Sequence, residues 1–249
     1  RKQIDGEEID LDAVIETLTE IRVGESQGQE GLYIRRDKRI RDVAAAFLLD
    51  LSDSTDEIVN DQGMTILDVE IEAVVIMAEA LETIGDQYAI YGFSSNGRDK
   101  IDFYVLKDFA EEFNDVARQR FGGLRSANAT RLGAAIRHAK TKLSQIEAAV
   151  KLLFVLSDGR PYDFDYYSPV EELDLKTWLK TDTDRYAQED VRVALQELKM
   201  YGITPFALTV DRRGKEYLEH IFGQVNYLVM NQVEDLPIKL PEVYRHLTV

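Results

Sequence analysis

The run Asp50–Thr55 (DLSDST) follows an apolar stretch and places a carboxylate and two hydroxyls at alternate positions, Asp50, Ser52 and Ser54. Residues leaving a strand alternate in direction, so these side chains converge on one point while Leu51 turns towards the core. Carboxylate and hydroxyl oxygens suit Mg²⁺ or Mn²⁺ in an octahedral shell that keeps several waters. The same spacing is also typical of a strand end followed by a helix N-cap, because Asp and Ser favour caps.

Two later positions extend the pattern. Thr130 lies in NATRLG at the start of a helical pattern, and Asp158 ends the apolar run KLLFVLSDG. The carboxyl ends of parallel strands share one edge of the sheet, where open α/β sheets hold their ligands. With these two residues, a metal site becomes the favoured interpretation of the DLSDST run, and Asp53 is interpreted as a solvated neighbour.

Alternating apolar runs and helical patterns predict the elements that position these residues. Strands are expected at 43–52, 88–94, 100–106, 151–159, 204–211 and 224–230, and helices at 66–84, 110–121, 132–146, 188–201, 216–222 and 233–246. This alternation indicates a doubly wound α/β fold, with a mostly parallel six-stranded sheet and helices on both faces. The short link SNGRD between the second and third strands predicts a hairpin with one antiparallel edge strand.

The chain is expected to comprise an N-terminal helix-and-strand extension, residues 1–42, and one domain, residues 43–249. Within the extension, a helix is expected at 10–22 and a strand at 32–35. An acidic, aromatic-rich segment at about 160–188 interrupts the alternation of predicted strands and helices. It is interpreted as an insertion, because connections of this length are usually functional or disordered. Since the first residue is Arg1 and not Met, the chain is interpreted as part of a longer polypeptide.

Composition excludes several functions. The formal net charge of −16 disfavours binding to nucleic acid or to anionic membrane surfaces, because both attract Lys and Arg. The absence of cysteine excludes disulfide scaffolds, thiolate zinc sites and cysteine nucleophiles. No apolar run approaches the ~18 residues of a membrane span, so membrane insertion is not expected. A cytoplasmic location is expected, and the lack of cysteine permits it.

These motifs, in this order and on these elements, resemble the metal-ion-dependent adhesion site of von Willebrand factor A (VWA) domains. All five positions match. The resemblance implies that Ser52, Ser54 and Thr130 ligate the metal directly, while Asp50 and Asp158 act mainly through water or hydrogen bonds. It also implies that the sixth coordination position is left for a carboxylate of a partner protein.

Over nearly its whole length, the chain is similar to the C-terminal domain of the NorD/CbbO group. The similarity is carried by YGFSSNGRDKIDFYVLKDF, ATRLGAAIRHA, SDGRPYDFDYY, ITPFALTVDRRGKEYL and LPEVYRHLT. Proteins of this group partner hexameric AAA+ ATPases of the MoxR class, and they activate Rubisco in one branch and nitric oxide reductase in the other. The resemblance therefore implies a non-enzymatic, Mg²⁺-dependent adaptor that binds a client carboxylate, with Rubisco slightly favoured. The stretch around Trp178 is longer than the family pattern.

Two other classes of function stay open. An aspartate-nucleophile phosphohydrolase also has an Asp after an apolar strand and uses Mg²⁺, but it needs a second acid two residues later as a proton donor. That position is Ser52, which cannot serve at neutral pH. The P-loop pattern and the GxGxxG motif do not occur in the sequence. The other alternative is a structural module that binds no metal.

Overall fold

A computed structural model provides the structure of the protein. It describes residues 8–9, 33–34, 41–157, 161–166, 175–209, 215–223, 226–230 and 232–248. The chain divides into two compact units, residues 1–41 and 42–249. In the first unit, β1 (Glu8–Ile9) pairs in antiparallel fashion with β2 (Tyr33–Ile34), which lies within the predicted strand at 32–35. The helix predicted at 10–22 lies outside the described residues.

The second unit is built around a six-stranded sheet with the order β5-β4-β3-β6-β7-β8. Its strands are β3 (Val43–Asp50), β4 (Gln87–Ser95), β5 (Ile101–Lys107), β6 (Val150–Ser157), β7 (Ile203–Thr209) and β8 (Asn226–Val229). Only the edge strand β5 runs antiparallel to its neighbour. The predicted mostly parallel sheet with one antiparallel edge strand is confirmed.

Six helices are described in this unit. They are α1 (Ile66–Ile84), α2 (Asp115–Gly122), α3 (Leu132–Ser144), α4 (Leu175–Met200), α5 (Lys215–Phe222) and α6 (Leu236–Thr248). Short 3-10 helices cover Asp53–Asp56 and Val233–Asp235. Among the helices that the structure describes, none has the length and apolar character needed to cross a membrane.

Strand β3 lies at the centre of the sheet and is buried on both faces, as parallel strands usually are. On one face, Phe47 and Leu49 pack in a core that includes residues of α1 and α6. On the other face, Leu48 packs in a core that includes residues of α3 and α4. Helices therefore cover both faces, and the ladder between β3 and β6 is reinforced where Phe47 stacks on Phe154 with ring centroids 5.1 Å apart.

Two helices begin five or more residues away from the predicted position. Helix α2 begins later than expected because the Asn114 side chain accepts hydrogen bonds from the backbone of Val116 and Ala117 and so caps the helix there. Helix α4 begins at Leu175 rather than 188, so the second half of the segment interpreted as an insertion is helical. Thr and Asp have low helix propensity, and the run TDTD at 181–184 hid this part of the helix from the sequence pattern.

Candidate metal centre

The structure brings four of the five predicted site residues together at the carboxyl edge of the sheet. Asp50 is the last residue of β3, Ser52 and Ser54 follow it, and Thr130 immediately precedes the α3 region. Hydrogen bonds join the Asp50 side chain to Thr130 and the Ser52 side chain to Ser54. The fifth predicted residue, Asp158, lies outside the described residues.

The Asp50 carboxylate is fully buried and is surrounded by donors. Its Oδ1 accepts from the backbone N–H of Ser52 at 3.0 Å and from the Thr130 hydroxyl at 3.3 Å. Its Oδ2 accepts from the Ser157 hydroxyl, at the end of β6, at 2.8 Å. These bonds offset the cost of burying a charge. The Thr130 hydroxyl donates a hydrogen bond to Asp50 and keeps its oxygen lone pairs, so this oxygen can still bind a metal ion.

The Ser52 and Ser54 hydroxyl oxygens lie 3.0 Å apart. In an octahedral shell with metal–oxygen distances of about 2.1 Å, neighbouring ligand atoms are about 3.0 Å apart, so this pair fits two adjacent positions around Mg²⁺. The Ser52 carbonyl accepts from both the backbone N–H and the hydroxyl of Thr55, at 3.0 and 2.8 Å, which fixes the turn. Both the donor types and their spacing therefore fit a magnesium ion.

Backbone hydrogen bonds hold the loop before Thr130 against the end of β3. The N–H of Ala127 donates to the Leu51 carbonyl at 2.7 Å, and the N–H of Asp53 donates to the Asn128 carbonyl at 3.0 Å. Asn128 adopts a left-handed conformation with φ 64°, which Asn tolerates better than most residues. Asp53 itself is exposed, in agreement with its interpretation as a solvated neighbour.

The loop that contains Ala129 and Thr130 also forms backbone hydrogen bonds with two other segments of the chain. Ala129 exchanges two backbone hydrogen bonds of 2.8 Å with Ser95, the last residue of β4. Thr130 exchanges two with Tyr162, at 2.7 and 3.1 Å. The loop is therefore bridged to the end of β4 on one side and to the segment that follows β6 on the other, and these two bridges set the position of the Thr130 side chain.

A buried acidic residue behind this loop was not identified from the sequence. Asp163 is fully buried and accepts from the Ser95 hydroxyl at 2.8 Å, from the Gly97 N–H at 3.0 Å and from Nε of Arg131 at 3.2 Å. The Ser95 hydroxyl in turn accepts from the Arg131 N–H at 2.9 Å. Asp163 therefore ties the end of β4 to Arg131, the N-cap residue of α3, which directly follows Thr130.

The network continues from Arg131 into the contact between α3 and α4. The Arg131 guanidinium lies 4.0 Å from the ring centroid of Tyr166 and also forms an ion pair with Asp165. The Tyr166 hydroxyl donates to Asp190 of α4 at 3.1 Å, and Arg137 of α3 donates to the same carboxylate at 2.7 Å. Burial raises the pKa of Tyr166 well above its usual range, so its hydroxyl stays protonated as a donor.

Sequence reasoning also missed Ser95 and Ser157, although a signal for both was present. Each ends a strand that neighbours β3, so a polar residue there is placed beside Asp50 or its loop. Within the described part of the chain, no group of three or more Asp, Glu, His or Cys side chains is arranged to hold a metal ion. The hydroxyl-rich set around Asp50 is therefore the candidate site.

Most of the chain matches a known protein family. The model of the von Willebrand factor type A domain matches residues 45–244. The chain belongs to the VWA family. The match spans the described sheet from β3 to β8 and ends within α6, so the whole second unit apart from its extremities is a VWA domain.

Solved structures agree with this VWA fold. The PilB minor pilin from Streptococcus sanguinis is similar with a TM-score of 0.65 and 16% identity, covering 90% of this chain and 66% of that chain. The vWF domain of the type V pili tip protein Mfa5 from Porphyromonas gingivalis is similar with a TM-score of 0.57 and 11% identity, covering 82% and 94%. At these identities the likeness concerns the fold alone.

Sequence relatives extend the similarity beyond the VWA domain. An uncharacterized protein from Pseudomonas aeruginosa is 37% identical over 247 residues, covering 99% of this chain and 38% of that protein. Protein NorD from Brucella melitensis is 35% identical over 247 residues, covering 99% and 36%. Protein NorD from Stutzerimonas stutzeri is 33% identical over 232 residues, covering 93% and 35%. The resemblance to NorD is confirmed, and the chain spans little more than a third of these relatives' length.

Proposed function

We propose that this VWA domain is a non-catalytic, cytoplasmic adaptor that binds Mg²⁺ and uses it to hold a carboxylate of a partner protein. The proposed ligand set comprises Asp50, Ser52, Ser54, Thr130 and Asp158, and Mn²⁺ is an alternative ion. The observation that carries the proposal is the convergence of one buried carboxylate and three hydroxyls at the carboxyl edge of the sheet.

The charge of the described ligands supports a binding role. Ser52, Ser54 and Thr130 are neutral, and the charge of Asp50 is shared among the donors that surround it. A divalent ion bound there supplies a local positive charge that hydroxyl ligands do not neutralise, in a protein of net charge −16. An acidic residue of a partner is therefore the ligand that such a site favours.

The chain's own residues prepare this site before a partner arrives. Asp50 orients the hydroxyls of Thr130 and Ser157 by accepting a hydrogen bond from each. The backbone pairing of Ala129 with Ser95 holds the Thr130 loop in place. Because these contacts exist without a partner, little ordering is required on binding, and preorganised sites bind more tightly for that reason.

The similarity to relatives named NorD supports a wider role for the whole protein. In this role, an AAA+ ATPase hexamer of the MoxR class supplies force while the VWA domain holds the client. Rubisco, which one branch of the NorD/CbbO group activates, is the first candidate for the client. Nitric oxide reductase is the second candidate, and the NorD name of two relatives supports it.

The test is a client-activation assay with the whole protein and its ATPase. Inhibited Rubisco and nitric oxide reductase are each assayed with Mg²⁺ or with a chelator, and client binding is measured in parallel. We expect Mg²⁺-dependent binding and activation of one client, both lost in Asp50→Ala but kept in Asp53→Ala, while Asp50→Ala still binds the ATPase. If Asp50→Ala activates the client as well as the unmodified protein, the proposal is wrong.

Mg²⁺-dependent hydrolysis of a phosphate ester, lost in Asp50→Asn, would favour the phosphohydrolase instead.

A further inference from the structure

The exposed aromatic residue Tyr162 is fixed next to Thr130 by the backbone. The two residues lie directly opposite each other in an antiparallel pair and exchange both N–H···O bonds, at 2.7 and 3.1 Å. Residues opposed in this way have Cα atoms about 5.5 Å apart and side chains on the same face. The Thr130 hydroxyl contacts Asp50, so the Tyr162 side chain lies on the face of the loop that carries the candidate metal centre.

The next residue, Asp163, confirms this orientation and fixes it. Side chains alternate along an extended segment, so Asp163 must point away from the face occupied by Tyr162. Asp163 is fully buried on that opposite side, where it contacts the side chains of Ser95 and Arg131. Turning Tyr162 inwards would expose Asp163 and break these bonds, so Tyr162 is held outwards.

Tyr162 is 55% exposed, and the nearby Phe164 is 54% exposed. The Phe164 ring lies against Gly97, whose added Cβ would be 3.0 Å from it. The segment therefore presents two aromatic rings to solvent, and Tyr162 is the one paired with a site residue. Tyr is enriched at protein interfaces because it offers a large, rigid contact area at low conformational entropy cost.

We propose that Tyr162 determines the specificity of the site by packing against an apolar or aromatic residue adjacent to the partner's acidic residue. This inference rests on the proposed function, since the acidic residue is the one held at the metal. Lys or Arg would also suit the face of a tyrosine ring. However, a divalent ion on the same face of the loop repels a cation, so an uncharged ring is favoured.

Peptide titration tests this directly. The probes are N-acetylated, C-amidated tetrapeptides of sequence Gly-Asp-Phe-Gly, Gly-Phe-Asp-Gly, Gly-Asp-Lys-Gly and Gly-Asp-Gly-Gly. Each is titrated into the 249-residue chain with and without Mg²⁺ and followed by NMR. One aromatic contact strengthens binding by about 2- to 10-fold, so we expect one of the phenylalanine peptides to bind that much more tightly than the glycine peptide. The lysine peptide should show no such gain.

The variants separate the ring contact from the metal. Tyr162→Ala should remove the preference for phenylalanine while leaving Mg²⁺-dependent binding of the glycine peptide unchanged, and Tyr162→Phe should keep the preference. Tyr201→Ala is the matched control, because Tyr201 is 56% exposed and precedes β7, at the opposite edge of the sheet. It should keep the preference.

The titrations distinguish a failure of the Tyr162 inference from a failure of the proposed function. If peptides bind with Mg²⁺ dependence but Tyr162→Ala keeps the preference, or Tyr201→Ala loses it equally, the inference is wrong and the proposed function stands. The same holds if neither phenylalanine peptide is preferred. If the unmodified chain binds no peptide in a Mg²⁺-dependent way, the proposed function and the inference both fail.

Discussion

The hydroxyl of Thr130 donates to Oδ1 of Asp50 at 3.3 Å, although the two residues are 80 positions apart in the chain. No local element fixes this contact. It depends on backbone pairing of the Thr130 loop with Ser95 on one side and with Tyr162 on the other. The candidate metal centre is therefore a property of the sheet edge as a whole, and the DLSDST run supplies only part of it.

Replacing Asp50 with Asn is expected to weaken Mg²⁺ and Mn²⁺ binding by about 10- to 100-fold, the usual cost of losing a group that orients metal ligands. The amide has the same shape, but it is uncharged. Its NH₂ group is only a donor, so the hydrogen bond from either Thr130 or Ser157, which the two carboxylate oxygens accept, is lost. Calorimetric titration of each ion into the chain measures the effect.

The matched control is Asp53→Asn. Asp53 lies three residues later and is exposed, and its backbone rather than its side chain pairs with the Thr130 loop. Its loss should change the affinity by less than about twofold, since solvent and salt screen an exposed charge. Equal losses in the two variants would show that general charge, and not the Asp50 contacts, governs metal binding.

Asp163→Ala is expected to lower the free energy of unfolding by about 3 kcal/mol, because it leaves the largely buried Arg131 without one of its partners. The control is Asp102→Ala, whose ion pair with Lys100 is open to solvent on the lysine side and 3.9 Å long, and which should cost less than about 1 kcal/mol. Urea unfolding measures both. Similar costs for the two variants would mean that the Asp163 network does not stabilise the fold.

The fold was predictable from the sequence because its elements carry strong local signals. The range 66–84 predicted for α1 matches the structure, where Thr65 and Asp68 form a capping box and Gly85 ends the helix at φ 81°. The central strand β3 was predicted by its unbroken apolar run, which both faces of a parallel strand require. Helix α4 shows the limit, since residues of low helix propensity obscured its first turns.

The site was predictable only in part, and the division has a physical cause. Asp50 and Thr130 lie at element ends, and the rule that such ends meet at one sheet edge identified them. Asp163 and Arg131 lie in or beside a loop with no periodicity, and their contact exists only after distant segments pair. A buried ion pair of this kind has no local sequence signal.

The ion pair of Glu111 with Arg120 predicts a specific pH dependence. Arg120 donates two hydrogen bonds to the Glu111 carboxylate, at 2.7 and 3.0 Å. Together with a hydrogen bond of 3.0 Å from the Asp108 N–H, these bonds lower the pKa of Glu111 from its ordinary value of 4.5 to about 2. Because the folded-state pKa is lowered, the stabilisation is fully present above about pH 4.5 and is lost as the pH falls towards 2.

Glu111→Gln should therefore be less stable than the unmodified protein at pH 7, and the difference should shrink between pH 4.5 and 3. The difference is small, because water reaches both side chains and screens the pair. Chemical unfolding at several pH values measures it. In an Arg120→Ala background, Glu111→Gln should have a smaller pH-dependent effect, because the Asp108 N–H still donates to Glu111. A dependence that is undiminished there would rule out Arg120 as its main cause.

Gly133→Ala should destabilise the protein by about 1–3 kcal/mol, although Ala is normally the better helix former. An added Cβ at Gly133 would lie 2.6 Å from Cγ of Asp190. Asp190 cannot move aside without losing its hydrogen bonds from Tyr166 and Arg137. The control is Gly122→Ala, where an added Cβ meets nothing within 4 Å, and which should be neutral or stabilising by up to about 1 kcal/mol. If thermal or chemical unfolding shows equal stabilisation in both variants, the contact of α3 with Asp190 is looser than the structure indicates.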